Sequence, residues 1–463
     1  MSLEQDYNRQ CLDKLVWATK QLNLNVKKDT LTKIAALIVQ TMTGPWRYFH
    51  TPDHIFEVGG AEDALEVLAA LFHDVVYYQV DRSINFNLSY YVTPFIQEVQ
   101  DSQGTKLAIR NLDELPSPDF AFDLATTVFG FLPGQELSPF AGQNEFLSAI
   151  VCAEVLQSFT PPELLLQILA CIEATIPFRA SKDGVSPSDR LFERLQEANR
   201  KFKLNLADTE LIEAVKRSVR MANRDVGSFA YSNSALFLDN TWNLLPETNH
   251  NLKNAGSYNP GSYTVQEYRV ALQKMEGFMG FLKPEVIFQQ YKGEPDTTTY
   301  KGLLKRAQRN LEVARLYLGS KLYTIALLEA LSLRFGRATT LATIMGEVAS
   351  GGYSGDKLEN FLPTIEQPCT SRNDTEREVM ALIEKGRYRS SDYDLKNSPL
   401  TTFIVKYIGF DELTAGLNHS KKFFKGEMSS EEFLAQCNPE VNEIITKAML
   451  RLFDSRKAAL AQA

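Results

Sequence analysis

The sequence has few cysteines, few histidines and no long run of apolar residues. Its 463 residues include five Cys and five His, and no two cysteines form a CxxC pair, so neither a zinc ribbon nor a redox dithiol is expected. The most apolar stretches fall short of the ~20 residues that a membrane span needs. The polar, acidic first residues lack the order of a signal peptide. These absences predict a soluble, cytoplasmic protein without membrane contact.

Basic runs and common catalytic signatures are also missing. The chain carries 49 Lys+Arg against 57 Asp+Glu, a formal net charge of −8, which disfavours nucleic acid as a partner. No Gly-Lys dipeptide occurs, which excludes a P-loop, and neither a GxSxG elbow nor a GxGxxG turn after a strand is found. With 44% hydrophobic residues, the chain can still bury a large core.

Most of the sequence has helical periodicity. Apolar residues recur at intervals of three and four, which predicts an all-α fold. Residues 15–42 are expected to form one amphipathic helix. The clearest strand candidate is residues 401–408, which are rich in β-branched side chains.

A polar, turn-rich stretch at residues 291–299 is the best candidate for a domain boundary. It predicts a first domain over residues 1–290 and a mostly helical C-terminal region over residues 300–463, whose role the sequence leaves open. Residues 301–318 and 323–334 are expected to form a helical pair. The basic and aromatic residues 385–394 could contact an anionic substrate or a partner, but an exposed loop is the favoured interpretation.

Three of the five histidines fall in one window. In RYFHTPDHIFEV, Thr51 suits a helix N-cap and Pro52 the first helical position. His50 is then just outside the helix and His54 in its first turn. Two imidazoles are therefore expected to point into one space.

The second motif is LAALFHDVVYY, in which His73 and Asp74 follow the apolar stripe of a buried helix. A carboxylate in such a place is costly unless it is paired or bound to a metal. Imidazole and carboxylate together suit a divalent metal. The two motifs therefore predict a metal site.

Together the motifs resemble the HD superfamily of metal-dependent phosphohydrolases, whose signature is H…HD…D. LAALFHDVVY is similar to small bacterial HD phosphohydrolases. RYFHTPDHIFEV is similar to the YHNxxHAxDV segment of the cyclic nucleotide phosphodiesterase catalytic domain, with Glu57 in place of the family's aspartate. The resemblance covers residues 45–290 and implies an HD-type helical bundle.

The resemblance also implies residue roles. His54, His73 and Asp74 would bind one or two divalent metals (Zn, Mn, Fe or Mg). His50 would be the general acid that protonates the leaving oxygen of a small phosphorylated substrate, a nucleotide being one candidate, after attack by a metal-activated water. The signature needs one more aspartate downstream, and Asp225 in RSVRMANRDVGSFA fits best. Asp183, Asp189 and Asp208 are its competitors.

Weaker matches concern a second metal ion and the recognition of a purine base. Glu145 and Thr175 align with a second-shell glutamate and with a threonine near the second metal of the phosphodiesterases. The family glutamine that reads the purine base is replaced by Met275, which leaves Phe278 and Gln273 as candidates for substrate contact. These departures, and Tyr77 where the phosphodiesterases have a histidine, leave the substrate open.

Two other functions stay open. The HD scaffold could bind a nucleotide without turnover and act as a signalling module through the C-terminal region. A di-iron oxygenase on the same scaffold would need more histidine ligands than this chain offers. Whether the chain forms an oligomer is also open.

Overall fold

The computed structural model describes residues 2–101, 104–116, 118–250, 252, 263–334, 336, 339–345, 356–391 and 393–461. Helices make up 67% of the chain and strands 4%, which confirms the predicted all-α class. Within the ranges given, no helix combines the length and the apolar character needed to cross a lipid bilayer.

The helices follow one another with mostly short connections. In chain order they are α1 Leu3–Gln21, α2 Lys28–Met42, α3 Pro52–Gly59, α4 Ala64–Phe72, α5 Tyr78–Asp81, α6 Phe86–Val92, α7 Phe120–Phe129, α8 Gln143–Leu156, α9 Pro162–Ala174, α10 Pro187–Phe202, α11 Asp208–Asp225, α12 Ser234–Thr248, α13 Val265–Phe281, α14 Pro284–Ile287, α15 Thr297–Ser332, α16 Leu341–Met345, α17 Asp374–Lys385, α18 Pro399–Phe424, α19 Ser430–Gln436 and α20 Pro439–Ala461.

The chain divides into two compact units. They comprise Met1–Phe229 with Lys283–Lys305, and Ala230–Leu282 with Arg306–Ala463. This division differs from the boundary predicted near residue 290. The physical reason is that Tyr291 is buried in the hydrophobic core of the first unit and pairs with Glu294 across a turn. The polar stretch is therefore part of the first unit, and α12 and α13 belong to the second.

The prediction of one helix over residues 15–42 is wrong. Asn23 has a left-handed backbone (φ 54°) between α1 and α2, so the apolar periodicity continues across a break in the helix. The predicted strand at residues 401–408 is also wrong, since these residues lie in α18. Pro399 at its first turn favours a helix start, and buried Ile404 and Ile408 lie four residues apart on one helical face.

The predicted helical pair after residue 300 is instead the single helix α15. Gly319 and Ser320 lie in its middle, between the two helices that the sequence predicts. A Cβ on Gly319 would lie 3.0 Å from a methyl group of Leu417, so the glycine allows a close approach by α18. The Ser320 hydroxyl donates to the carbonyl of Leu316 within the helix, and the helix continues.

Helix α4 lies at the centre of the first unit. Each of its residues is buried, and it packs against α1, α3, α8, α9 and α11. A helix that is apolar on every side needs such surroundings. Its start is fixed by the side chain of Asp63, which accepts from the backbone amides of Leu65 and Glu66. The end of α4 therefore lies deep in the unit.

A β-hairpin that the sequence analysis missed also belongs to the first unit. Strands β1 Ile96–Asp101 and β2 Gly104–Ile109 pair antiparallel, with Ile96 opposite Ile109. Buried Leu107 and Ile109 attach the hairpin to the core.

Candidate metal centre

Helix α3 carries the first histidines of the centre. It begins at Pro52 after Thr51, as predicted, although the Thr51 side chain makes no capping hydrogen bond. His54 lies in its first turn and His50 just before it, and their ring centroids are 5.7 Å apart. The two imidazoles therefore occupy one corner of the first unit.

The His-Asp dipeptide lies where α4 ends. His73 is the C-terminal cap of the helix, and its Nδ1 lies 2.8 Å from the carbonyl oxygen of Ala70. The carbonyl can only accept, so Nδ1 carries a hydrogen and Nε2 of the neutral ring keeps its lone pair. Such an outer partner commonly orients metal-binding histidines.

Asp225, the last residue of α11, completes the group. One ligand atom from each of His54, His73, Asp74 and Asp225 lies within 4.8 Å of the other three. The sequence favours Asp225 over three other aspartates for the distal position. Among the described residues only Asp225 joins this group. Asp208 starts the same helix at its other end, Asp189 lies in the first turn of α10, and Asp183 lies in a turn before α10.

The ligand atoms form a ring of short distances. His54 Nε2 lies 3.4 Å from Asp74 Oδ2 and 3.0 Å from Asp225 Oδ1. His73 Nε2 lies 3.0 Å from the same Asp74 oxygen and 3.4 Å from the same Asp225 oxygen. Two ligand atoms that each lie ~2.1 Å from one ion, with an angle of about 90° at the ion, are about 3.0 Å apart. The four atoms therefore fit around a single divalent cation.

The hydrogen bonding of the ligand atoms supports that fit. The Nε2 atoms of His54 and His73 and the Oδ2 atom of Asp74 are buried and make no hydrogen bond within the described part of the chain. Buried polar atoms normally have a partner. Each of the two nitrogens lies 3.0 Å from a carboxylate oxygen, a spacing that ligands of one cation would have. The side chains are thus arranged to hold an ion between them.

Burial and charge act in opposite directions on this group. Burial alone would lower the pKa of His54, but Asp225 and Asp74 outweigh it and raise that pKa to about 9. Burial likewise opposes the shift at His73, whose pKa the same carboxylates raise well above its ordinary value. Burial would raise the pKa values of Asp74 and Asp225, but the histidines lower both. Without a metal, the group therefore holds imidazolium and carboxylate at neutral pH.

His50 lies beside the four ligands in an aromatic setting. Its ring centroid is 4.9 Å from that of Phe49 and 4.4 Å from that of Tyr77, both in edge-on contact. Its charge contributes to lowering the pKa of Asp74. Tyr77, which stands where the phosphodiesterases have a histidine, thus packs on the predicted general acid.

Glu145, in the first turn of α8, is a further carboxyl group whose pKa the charges of two ligands affect. Burial is the main cause that raises its pKa to about 8, and Asp74 and Asp225 raise it further. Its Oε2 atom is buried and makes no hydrogen bond within the described residues. At neutral pH Glu145 is therefore mostly protonated beside the carboxylates.

Thr175 is buried at the end of α9, where its hydroxyl donates to the carbonyl of Ile172. The hydroxyl proton of Thr175 therefore makes a hydrogen bond within its own helix end. Gln273 and Phe278 lie on α13 in the second unit. Gln273 accepts from Arg269, and the ring of Phe278 meets that of Phe281. Their predicted roles at a second metal and in substrate contact stay predictions.

Charged side chains that the sequence analysis missed connect the ligand-bearing helices. Arg224, beside Asp225, pairs with the buried Glu66 of α4 and donates to the carbonyl of Val58 at the end of α3. Arg220, one turn earlier, also binds Glu66, at 2.9 Å. These contacts tie α11 to α3 and α4. The available signal was a glutamate in an otherwise apolar helix.

Comparison of the chain with models of known families, with curated proteins and with solved structures gives no match. The resemblance to the HD superfamily therefore stays a prediction that rests on the residues themselves.

Proposed function

We propose that the protein is a metal-dependent hydrolase of phosphoesters, acting in the cytoplasm on a small phosphorylated molecule, with a nucleotide monoester or diester as the leading candidate. One observation carries the proposal: two imidazoles and two carboxylates converge on one point with a third imidazole, His50, next to them. This combination offers both a cation site and a proton donor.

The carboxylate and imidazole ligands would contribute differently to metal binding. Asp74 and Asp225 bring two negative charges, and His54 and His73 bring neutral nitrogens once their protons have left. When bound, a divalent cation would polarise a phosphoryl oxygen and lower the pKa of water. The Ala70 carbonyl holds the His73 ring in one tautomer, so that ligand needs no rearrangement.

His50 is the residue that we assign to the leaving group. An imidazole can hold and release a proton near neutral pH, and a positioned acid of this kind contributes typically ~10²–10⁴-fold to a rate. The rings of Phe49 and Tyr77 pack on His50, which limits its orientations. Glu145, with its pKa raised to about 8 mainly by burial, would hold a proton and donate a hydrogen bond near the substrate.

The test uses the full chain, stripped with a chelator and reloaded separately with Mn²⁺, Zn²⁺, Mg²⁺ or Fe²⁺. Turnover of p-nitrophenyl phosphate, of its bis-ester and of a nucleotide panel is measured for the wild type, Asp74→Asn and His50→Gln. We expect Asp74→Asn to lose metal binding and turnover, whereas His50→Gln keeps the metal and loses turnover.

Two matched control variants distinguish a specific loss at the metal centre from a general effect of substitution on the protein. Asp208→Asn removes an exposed carboxylate at the other end of the Asp225 helix, and His419→Gln removes a histidine of the second unit. Both are expected to behave as the wild type. Full turnover in Asp74→Asn would refute the proposal. Metal binding without turnover on any substrate would instead favour a binding module that acts through the C-terminal region.

A further inference from the structure

The side chain of Arg47 is fully buried in the first unit. Its Nε and Nη2 donate to the two carboxylate oxygens of Asp81 at 3.1 and 2.7 Å. Its Nη1 donates to the carbonyl of Asp74 at 2.7 Å, and its Nη2 also reaches the carbonyl of Val75 at 3.4 Å. The sulfur of Met42 accepts from Nη1 at 3.5 Å. These five contacts match the five N–H groups of a guanidinium.

Two of these acceptors belong to the turn that carries a predicted metal ligand. Helix α4 ends at Phe72, and carbonyls after a helix end have no partner inside the helix. Arg47 supplies a partner for the carbonyls of Asp74 and Val75. The peptide that directs the Asp74 carboxylate towards the two histidines is thereby held in place.

The same arginine precedes the predicted general acid by three residues. Between α2 and α3, where His50 lies, the chain has no α-helix. Arg47 fixes this connection to the end of α4, and its guanidinium lies 5.9 Å from the ring centroid of Tyr77, which also touches His50. Arg47 therefore contacts the main chain of Asp74 directly and is linked to His50 through the ring of Tyr77.

We propose that Arg47 is a positioning residue that sets Asp74 and His50 relative to each other, an inference that rests on the proposed function. A lysine could not replace it, because an ammonium group has three donors and no planar fork. Outer partners of metal ligands typically contribute ~10–100-fold to metal affinity or activity. Arg47 touches neither the ligand nitrogens nor the substrate, so its effect passes through Asp74 and His50.

The test measures Mn²⁺ affinity by calorimetry on folded, full-length protein, with kcat and KM for whichever phosphoester the wild type hydrolyses. Arg47→Lys is compared with Arg315→Lys. Arg315 is a matched control, since it donates to the carbonyls of Met279 and Leu282 inside the second unit. We expect Arg47→Lys to weaken Mn²⁺ binding about 10–100-fold and to lower kcat more than it raises KM, with Arg315→Lys unchanged.

The outcomes are distinguishable. If the wild type binds no Mn²⁺ at these ligands, the proposed function fails and this inference with it. If the wild type binds and Arg47→Lys binds equally well, the proposed function stands and Arg47 is only structural. Equal losses in both lysine variants also overturn the inference.

If Arg47→Lys does not fold, Asp81→Asn replaces it, because it keeps the arginine but disrupts the fork that orients it. A folded Asp81→Asn with lower Mn²⁺ affinity supports the positioning role. Unchanged affinity in that variant refutes it.

Discussion

Metal binding should release protons, and the number follows from the charges at the site. At pH 7 the carboxylates of Asp74 and Asp225 are ionised, since their pKa values are lowered. The His54 imidazole is protonated, since its pKa is raised to about 9, and so is His73. A metal needs both nitrogens neutral, so about two protons must leave at pH 7.

The size of the effect can be worked out for His54. Its pKa of about 9 lies two units above pH 7, so protonation of this ring alone weakens metal binding about 100-fold relative to pH values above 9. Titration of Mn²⁺ into stripped protein, in two buffers with different ionisation enthalpies, measures the released protons directly. We expect about two at pH 7 and fewer as the pH rises past 9. A heat that is independent of the buffer, with affinity flat from pH 6 to 9, would refute this reasoning.

The same shift predicts how the stability of stripped protein depends on pH. The folded-state pKa of His54, about 9, lies above the ordinary value of 6.5, so its contribution is fully present below pH 6.5 and is lost as the pH rises through 9. The shift corresponds to about 3 kcal/mol. Thermal midpoints of stripped protein should fall between pH 6.5 and 9, and Mn²⁺ should remove most of that fall. A midpoint that rises over this interval would contradict the assignment.

Two further predictions concern packing and charge, and thermal midpoints measure both. Glu66→Gln should destabilise the protein by about 1–3 kcal/mol, less than a fully buried pair would, because its partners Arg220 and Arg224 are 34% and 36% exposed. An unchanged midpoint would show that these pairs are not formed. Gly416→Ala should cost ~1–3 kcal/mol, because its Cβ would lie 2.4 Å from the buried ring of Tyr323. Gly277→Ala, in a helix with open space around it, should be neutral or slightly stabilising, and equal effects of the two alanines would contradict the packing argument.

Much of the candidate site could be predicted because its residues follow local rules. Thr51 and Pro52 mark the start of α3, and the apolar run before His73 marks a buried helix. Asp225 is harder to predict, because it lies 151 positions beyond Asp74 in the sequence. Only the fold brings the end of α11 to the end of α4, and the sequence offered a resemblance there rather than a physical rule.

The errors have physical causes too. Residues 401–408 have high strand propensity, yet they pack as part of a helix, because burial of one face outweighs intrinsic preference. The interpretation of residues 385–394 as an exposed loop holds for Tyr388, Arg389 and Ser390, which are exposed and outside any helix or strand. It does not hold for Arg387, whose side chain is fully buried against Trp242, and Asp394 pairs with Lys321. Composition cannot show that charges so far apart in sequence neutralise one another.

The charged residues that hold the ligands in place are the hardest to recognise from the sequence. Arg47 opens the first motif and Glu66 lies two residues before the second, but their partners Asp81 and Arg224 are distant in sequence. Nothing local distinguishes a buried arginine from one on the surface. The ligands could therefore be predicted, while the groups that hold them became clear only from the fold.

The central claim is that His54, His73, Asp74 and Asp225 bind one cation. Anomalous diffraction from crystals soaked in Mn²⁺, collected on both sides of the manganese absorption edge, tests it most directly. We expect a peak in contact with both Nε2 atoms and with one oxygen of each carboxylate. A map without a peak between these four side chains, from crystals whose soak places manganese elsewhere on the chain, would contradict it.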